Sequence, residues 1–540
     1  MRRTARTRAV FVSAALAILA ALLTLAALVA VAGATSRPAS ATSATSATSA
    51  TPASSPDFAA IDRFVSDELA AQAIPGAALV VTHGPDVVHV RGFGHTSAGV
   101  PVTPRTQFRL GSVSKSFTAT AVLQLVDAGR VRLDAPVRTY LPNFAGDDPR
   151  GARITVRQLL NHTSGLSDQG FPEQTVPAPH SLAERVTSLR AAKLVSSPGT
   201  RFHYFNANYD VAARVVEVVG GKPFATYLRD NVFAPLRMND TLLAYTKLIP
   251  STAPRLSRGY ALAFTRTVAR PELDGFLGGD GAVVSTAADL GHWLAMQNSQ
   301  GRYAGRQIVS APSLATEHTP PTRRADLDTS YAMGWMAERP EDGQPRLTHN
   351  GVLSTYYAEQ ALVPGTGYGV ALMFNTYNGL VPYHAITEGV LAQLEGREPA
   401  PVQPPTRLVE YVLAALTVLT LLVRCWEILR ARAWARRRRT RSLWRVVPGM
   451  VWLLVPTVLL AGLPWLVGTF AGRVFTREQL FWSMVTVHLW LGVAAVTGLA
   501  LLAVRVAALI RTSPPAPSSP PTSSPTSSPP PRSAPTPEAP

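Results

Sequence analysis

The chain has 540 residues, 51 Lys and Arg against 34 Asp and Glu, and one cysteine. Its net charge of +17 is concentrated at the two ends, with +5 over residues 1–55, +1 over 56–400 and +11 over 401–540. The near-neutral central region lacks the basic footprint that nucleic-acid binding requires, and with Cys425 outside it no disulfide can form there, so it is stabilised by its core alone.

In chain order, Arg2, Arg3, Arg6 and Arg8 precede an apolar run from Ala9 to about Ala32. Residues 1–35 therefore read as a secretory signal peptide or a retained signal anchor, and either one exports the region C-terminal to it. Residues 36–56 repeat Ala-Thr-Ser around Pro38 and Pro52, too poor in apolar side chains to pack, and form a linker. Residues 57–400 carry globular patterning. Two β-branched runs around His83-Gly84-Pro85-Asp86 predict a hairpin, and a second is predicted from Ala358–Val363 and Tyr368–Phe374 across Pro364-Gly365-Thr366-Gly367. A helix is expected from about Tyr383 to Leu394. From Ser112 to about Gln297 helical periodicity dominates, including Ser112–Ala128 before Gly129 and Tyr209–Val219 before Gly220. The expected class is α+β: one antiparallel sheet flanked by helices and closed by the two ends of the region, with an all-helical subdomain against it.

Three apolar segments lie within 408–504: about Leu408–Val423, Val446–Phe470 and Phe481–Val504. The last two are long enough to span a bilayer, and the first is short by a turn unless Arg407, Arg424 and Trp426 reach the interfaces. Their in-span ionisable candidates are Glu410 and His488. Arg430, Arg432 and Arg436 through Arg439 place the first connection in the cytoplasm, which puts 57–400 outside the cell membrane. The tail, 513–540, is rich in Pro and Ser, expected to be disordered, and cytoplasmic by the same topology.

The chemistry centres on Gly111-Ser112-Val113-Ser114-Lys115-Ser116-Phe117, which holds one of only four lysines. A serine and a lysine three residues apart at a helix start share one face. A desolvated lysine amine can accept a hydroxyl proton, whereas arginine stays protonated. The tetrapeptide alone is a weak signal, so further groups are required. In Arg201-Phe202-His203-Tyr204-Phe205-Asn206, alternation along an extended segment would put Tyr204 and Asn206 on one side, and a phenol beside an ammonium can relay a proton. In Leu347-Thr348-His349-Asn350-Gly351, the glycine would let substrate lie against a strand, and the histidine could steady its carboxylate or the tyrosine.

With these motifs in view, residues 57–394 resemble the serine β-lactamase and penicillin-binding-protein-like hydrolases of the class C type, which include esterases and D-aminopeptidases. The matching text also takes in Phe108-Arg109-Leu110, Ile154-Thr155-Val156-Arg157-Gln158-Leu159-Leu160-Asn161-His162-Thr163-Ser164-Gly165-Leu166, Gly281 through Leu290, and Tyr331-Ala332-Met333-Gly334-Trp335. The resemblance implies Ser112 as nucleophile, Lys115 as its activator, and Tyr204 as the group that deprotonates Ser112 and later the hydrolytic water. It implies that Asn206 bonds the substrate amide or Lys115, that His349, Asn350 and Gly351 stand where many relatives carry Lys-Thr-Gly, and that the backbone N–H groups of Ser112 and Val352 form an oxyanion hole. A largely neutral His349 weakens a carboxylate contact and points away from true β-lactamase activity.

No cofactor or metal is expected, because His162, His203 and His349 are scattered without a cysteine or paired carboxylates. Gly278-Gly279-Asp280-Gly281 lacks the Lys-Ser/Thr of a phosphate loop. The expected function is a membrane-anchored extracytoplasmic serine hydrolase acting through an acyl-enzyme on an ester or amide, with a small-molecule or peptide substrate and the lipid bilayer as partners. The alternative is a catalytically idle sensor that binds wall fragments or β-lactams.

Overall fold

The computed structural model describes residues 56–144, 148–246, 251–321, 330–341, 343–438 and 442–512. The predicted signal, the linker up to residue 55 and the tail from residue 513 lie outside the described residues, as does Arg439.

Helix α1 (Phe58–Ala71) starts where Asp57 accepts the backbone N–H of Ala60 at 3.0 Å. The first hairpin is β1 (Gly76–His83) with β2 (Asp86–Gly94), and the longest helices in the middle of the chain are α2 (Ser114–Asp127), α3 (Ala207–Gly220) and α4 (Ala287–Asn298). The sheet is completed by β3 (Met336–Glu338), β4 (Arg346–Val352), β5 (Tyr357–Val363) and β6 (Tyr368–Phe374), before helix α5 (Tyr383–Leu394).

These six strands are ordered β3-β4-β5-β6-β1-β2, and every neighbouring pair is antiparallel. The junction β6–β1, with Ala77 opposite Phe374, joins the late hairpin to the first, as the two strand-rich ends of the region required. Strand β1 shows why its sequence is continuously apolar rather than alternating. Leu79 and Val81 face a core with Ile61 and Val65 of α1 and Ile386 and Val390 of α5, while Ala78 and Val80 face a second core with Phe117 and Val122 of α2 and Leu290 and Leu294 of α4. With helices on both faces, a period-two strand buries both of its sides. Strand β2, at the edge, is mostly exposed.

The middle of the chain is less helical than its periodicity suggests. Phe108–Arg109, Leu242–Leu243 and Val283–Ser285 form a small three-stranded sheet, and Gly259–Ala263 pairs with Arg266–Arg270. The two- and three-residue strands of the first sheet are too short to leave a period.

Beyond α5 lie three helices long and apolar enough to cross a membrane: α6 (Thr406–Leu429), α7 (Val455–Ala471, within an apolar stretch that begins at Val447) and α8 (Val485–Thr512). The first is not a turn short, because its helix runs on past Val423 to Leu429. Glu427 and Arg505 are also within helices, with Glu427 accepting from Arg424 at 2.7 Å and from Arg505 at 3.0 Å, so the charged positions extend beyond Glu410 and His488. The connection Gly472–Met484 returns to the globular part: the N–H of Gly379 donates to the Ser483 carbonyl at 2.7 Å, Gln479 donates to Gln174 at 2.7 Å, and the Arg270 guanidinium lies over the Trp482 ring at 4.0 Å.

Candidate active site

Ser112 lies in a single 3-10 turn, Gly111–Val113, that runs directly into α2. The turn is held from behind: the N–H of Leu110 donates to the Val283 carbonyl at 2.9 Å, and that of Val283 donates to Ser114 Oγ at 3.0 Å. Gly111 sits at φ +52°, and a side chain on Gly351 would strike the Leu110 carbonyl at 1.8 Å. Glycine at both positions lets β4 approach the serine turn until the amides of Ser112 and Val352 lie close together.

One turn into the helix, the fully buried Lys115 points back along it. Its Nζ donates to Ser112 Oγ at 2.9 Å, to Asn206 Oδ1 at 3.0 Å and to the Asp280 carbonyl at 3.0 Å. Three acceptors around one amine leave it no freedom to wander from the serine. The glycine-rich segment 278–281 thus supplies a carbonyl to the lysine, and Thr118 Oγ1 of the same helix donates to the Gly279 carbonyl at 2.6 Å.

Tyr204 and Asn206 do meet the lysine, but not by strand alternation. Asn206 has helical dihedrals of −62° and −42° and opens α3, so its carboxamide reaches Lys115 from a helix start. The Tyr204 ring centroid is 5.0 Å from Lys115 Nζ. The ring is held by neighbouring rings, with the buried His162 ring tilted against it at 4.4 Å and that of Tyr331 edge-on at 6.1 Å. His162 accepts the N–H of Phe205 at its Nδ1, at 3.2 Å, and burial together with the Lys115 charge holds it well below the usual histidine range. It is therefore a neutral support beneath the tyrosine.

His349 contacts neither Lys115 nor Tyr204 by a hydrogen bond. Its Nδ1 faces the Asn350 carbonyl at 2.6 Å, so that nitrogen carries the proton and Nε2 accepts from the Tyr331 hydroxyl at 2.9 Å. Burial, then the Lys115 charge, lowers its pKa to about 3. A buried, neutral imidazole with both nitrogens engaged offers no cation to a carboxylate; it aligns β4 beside Gly351 and the exposed Val352.

Two contributors carry no motif. Glu173, on the loop after Leu166, accepts the N–H of Ala207 at 3.0 Å and so fixes the start of α3 that carries Asn206. Arg473, from the connection between α7 and α8, places its guanidinium 5.3 Å from the Tyr204 ring centroid and pairs with Asp168 at 3.3 Å and Glu173 at 3.5 Å. It stands 305 positions from Asp168 along the chain; the one hint in the sequence is an arginine between two apolar spans on the side that the positive-inside reading assigns to the globular part.

Serine, lysine, tyrosine and asparagine gathered beneath an antiparallel sheet define the class of serine hydrolases with the β-lactamase and penicillin-binding-protein fold. The Beta-lactamase family model matches residues 61–394, and the chain belongs to that family. Over 345 residues it is 32% identical to penicillin-binding protein 4 of Amycolatopsis lactamdurans, covering 62% of this chain and 89% of that one. It is 26% identical over 328 residues to protein flp of Staphylococcus aureus (strain N315), spanning 64% of that protein's length and 60% of this chain. The solved octameric penicillin-binding protein homologue from Pyrococcus abyssi superposes with a TM-score of 0.55 at 26% identity, over 66% of this chain and 81% of that one.

Proposed function

We propose that this protein is a membrane-anchored, extracytoplasmic serine hydrolase that forms and hydrolyses an acyl-enzyme at Ser112. The observation that carries the reading is the 2.9 Å contact from Lys115 Nζ to Ser112 Oγ, with Tyr204 beside the same amine. Ser112 Oγ attacks the substrate carbonyl carbon as its proton passes to the Lys115–Tyr204 pair. The amides of Ser112 and Val352 receive the developing oxyanion, the bond to the leaving alcohol or amine breaks, and the pair returns the proton to that group. Water, deprotonated by Tyr204, then cleaves the Ser112 ester, and the hydroxyl is restored.

Substrate selection depends on β4. With His349 neutral and tied to Tyr331, the strand lacks the ammonium that grips a β-lactam carboxylate, so an ester or a D-amino-acid amide ranks ahead of a β-lactam. Docking of the Gly472–Met484 connection on the globular part, with Arg430, Arg432 and Arg436 at the opposite ends of the helices, supports the predicted topology: domain 57–400 outside, membrane region 408–504, tail inside.

The full-length protein, in detergent or liposomes, should hydrolyse p-nitrophenyl acetate faster than D-amino-acid amides or nitrocefin. A fluorophosphonate or penicillin probe should label the wild type and not Ser112→Ala. Equal labelling of that variant would refute the assignment, and labelling without turnover would favour the idle sensor.

A further inference from the structure

We infer that Arg473, carried on the connection between α7 and α8, is a positioning residue for the active site, so that the membrane part completes the catalytic centre of the globular part. This role presupposes that Ser112 is the nucleophile of a hydrolase.

One chain of contacts links the two parts. The connection leaves α7 at Gly472 and turns toward the globular part, where the Val474 N–H and Arg473 Nε both donate to Asp168 Oδ2, at 3.2 and 3.3 Å. The Arg473 NH2 group lies 3.5 Å from Glu173 Oε1. The other oxygen of Glu173 caps Ala207 at 3.0 Å, and the neighbouring Asn206 holds Lys115, which holds Ser112. The same guanidinium lies against the Tyr204 ring. One side chain from the membrane part therefore touches the tyrosine directly and reaches the nucleophile through Glu173.

Asp168 and Glu173 are adjacent carboxylates with side chains 2% exposed, an arrangement that is costly without a cation. Arg473, 23% exposed at its side chain, supplies one. Burial, then the neighbouring Asp168 and more weakly Asp280, already raise the Glu173 pKa against the opposing charges of Arg473 and Arg185; loss of Arg473 raises it further, drawing a proton onto Glu173 and loosening its hold on the Ala207 amide and on the start of α3. Nothing in a simple anchor requires its extramembrane turn to reach Tyr204 and Glu173. The docking is broad as well: beyond Gln479 and Ser483, Thr486 accepts the Phe264 N–H at 3.0 Å and donates to Glu410 at 2.5 Å.

The test compares full-length wild type, Arg473→Ala and Arg473→Lys in the same liposomes, with kcat, KM and the pH profile for p-nitrophenyl acetate, the rate of Ser112 labelling by a fluorophosphonate, and thermal unfolding. Arg473→Ala should lower kcat and the labelling rate together by about tenfold or more, leave KM within about twofold, and move the acid limb of the kcat profile to higher pH. Arg473→Lys keeps the charge and loses the planar contact, so it should recover part of the rate; it also carries the test if the alanine variant does not fold. Millimolar methylguanidine should restore activity to Arg473→Ala. Unchanged kcat with an active wild type, or a rate loss that tracks unfolding with an unmoved pH profile, overturns the role of Arg473 alone. A wild type that neither turns over nor labels at Ser112 overturns both readings.

Discussion

The two walls of the candidate site are built differently. The nucleophile wall is fixed by direct hydrogen bonds: Lys115 meets three acceptors, Ser116 Oγ donates to the Val113 carbonyl at 2.9 Å and accepts from Gln360, and Thr120 reaches Glu317 at 2.8 Å. The tyrosine wall is held by ring contacts at 4.4 to 6.4 Å and by a guanidinium from outside the domain. Hydrogen bonds fix atoms in direction, whereas ring contacts fix a plane and leave sliding within it. On the proposed mechanism, the wall that holds a serine against an amine is the one tied by hydrogen bonds, and the wall that relays the proton is the one held by ring contacts.

The comparison is broken most severely at the rigid wall. Lys115→Arg preserves charge but cannot surrender a proton, and its longer fork does not fit a site enclosed on three sides, so activity should fall on the order of a thousandfold or more, as for Ser112→Ala. Steady-state kinetics of the full-length variants checks this; activity within about tenfold of wild type would remove the lysine from the mechanism. At the softer wall, Tyr204→Phe keeps the ring contacts and removes only the hydroxyl. Its rate should drop by roughly a hundredfold with an unchanged unfolding temperature.

The same division explains what the sequence made legible. Ser112 and Lys115 lie three residues apart, so their encounter is a local consequence of helix geometry, and the hairpins announce themselves by β-branched runs around turn residues. Tyr204, Asn206 and His349 were legible through their motifs, although their geometry was not. Asn206 reaches the lysine from a helix start rather than from a strand, and His349 hydrogen-bonds Tyr331 rather than Tyr204. Glu173, Asp168 and Arg473 had no local signature, because an ion pair between residues so far apart in the chain depends wholly on how the tertiary fold brings them together. The small sheets around Val283 and Leu242 escaped for another reason: strands of two or three residues lie below the length at which a period can be read.

A third break acts on the rigid wall from behind. Glu317 accepts from Thr120 of α2 and from Trp335 Nε1 at 3.1 Å, and burial, partly offset by these bonds, raises its pKa to about 8. A carboxyl whose folded pKa lies above its unfolded value near 4.5 binds its proton more tightly in the native state, so its favourable contribution is complete below about pH 4.5 and is lost as pH rises through 8. Glu317→Gln mimics the neutral form and should gain on the wild type steadily between about pH 5 and 8 and level off above that. Glu317→Ala, which strands Thr120 and Trp335, should cost about 2–4 kcal/mol at about pH 6. Melting curves across that range decide the matter; parallel pH dependences of wild type and Glu317→Gln would show the carboxylate is already ionised.

The smallest effect distinguishes support from catalysis on β4. His349 has a folded pKa of about 3 against an ordinary 6.5, so the unfolded chain takes up a proton that the native site refuses. Its contribution is therefore complete above about pH 6.5 and is lost as pH falls toward 3. Tyr331→Phe removes the hydroxyl that donates to Nε2 and should cost about 1 kcal/mol at neutral pH, with the acid loss of stability retained. His349→Gln should flatten the acid loss while leaving any acid limb of kcat/KM near about pH 6 in place, since an imidazole that stays neutral down to about pH 3 cannot produce that limb. If the limb disappears with His349, the histidine exchanges protons during turnover and belongs with Lys115 and Tyr204 rather than beneath them.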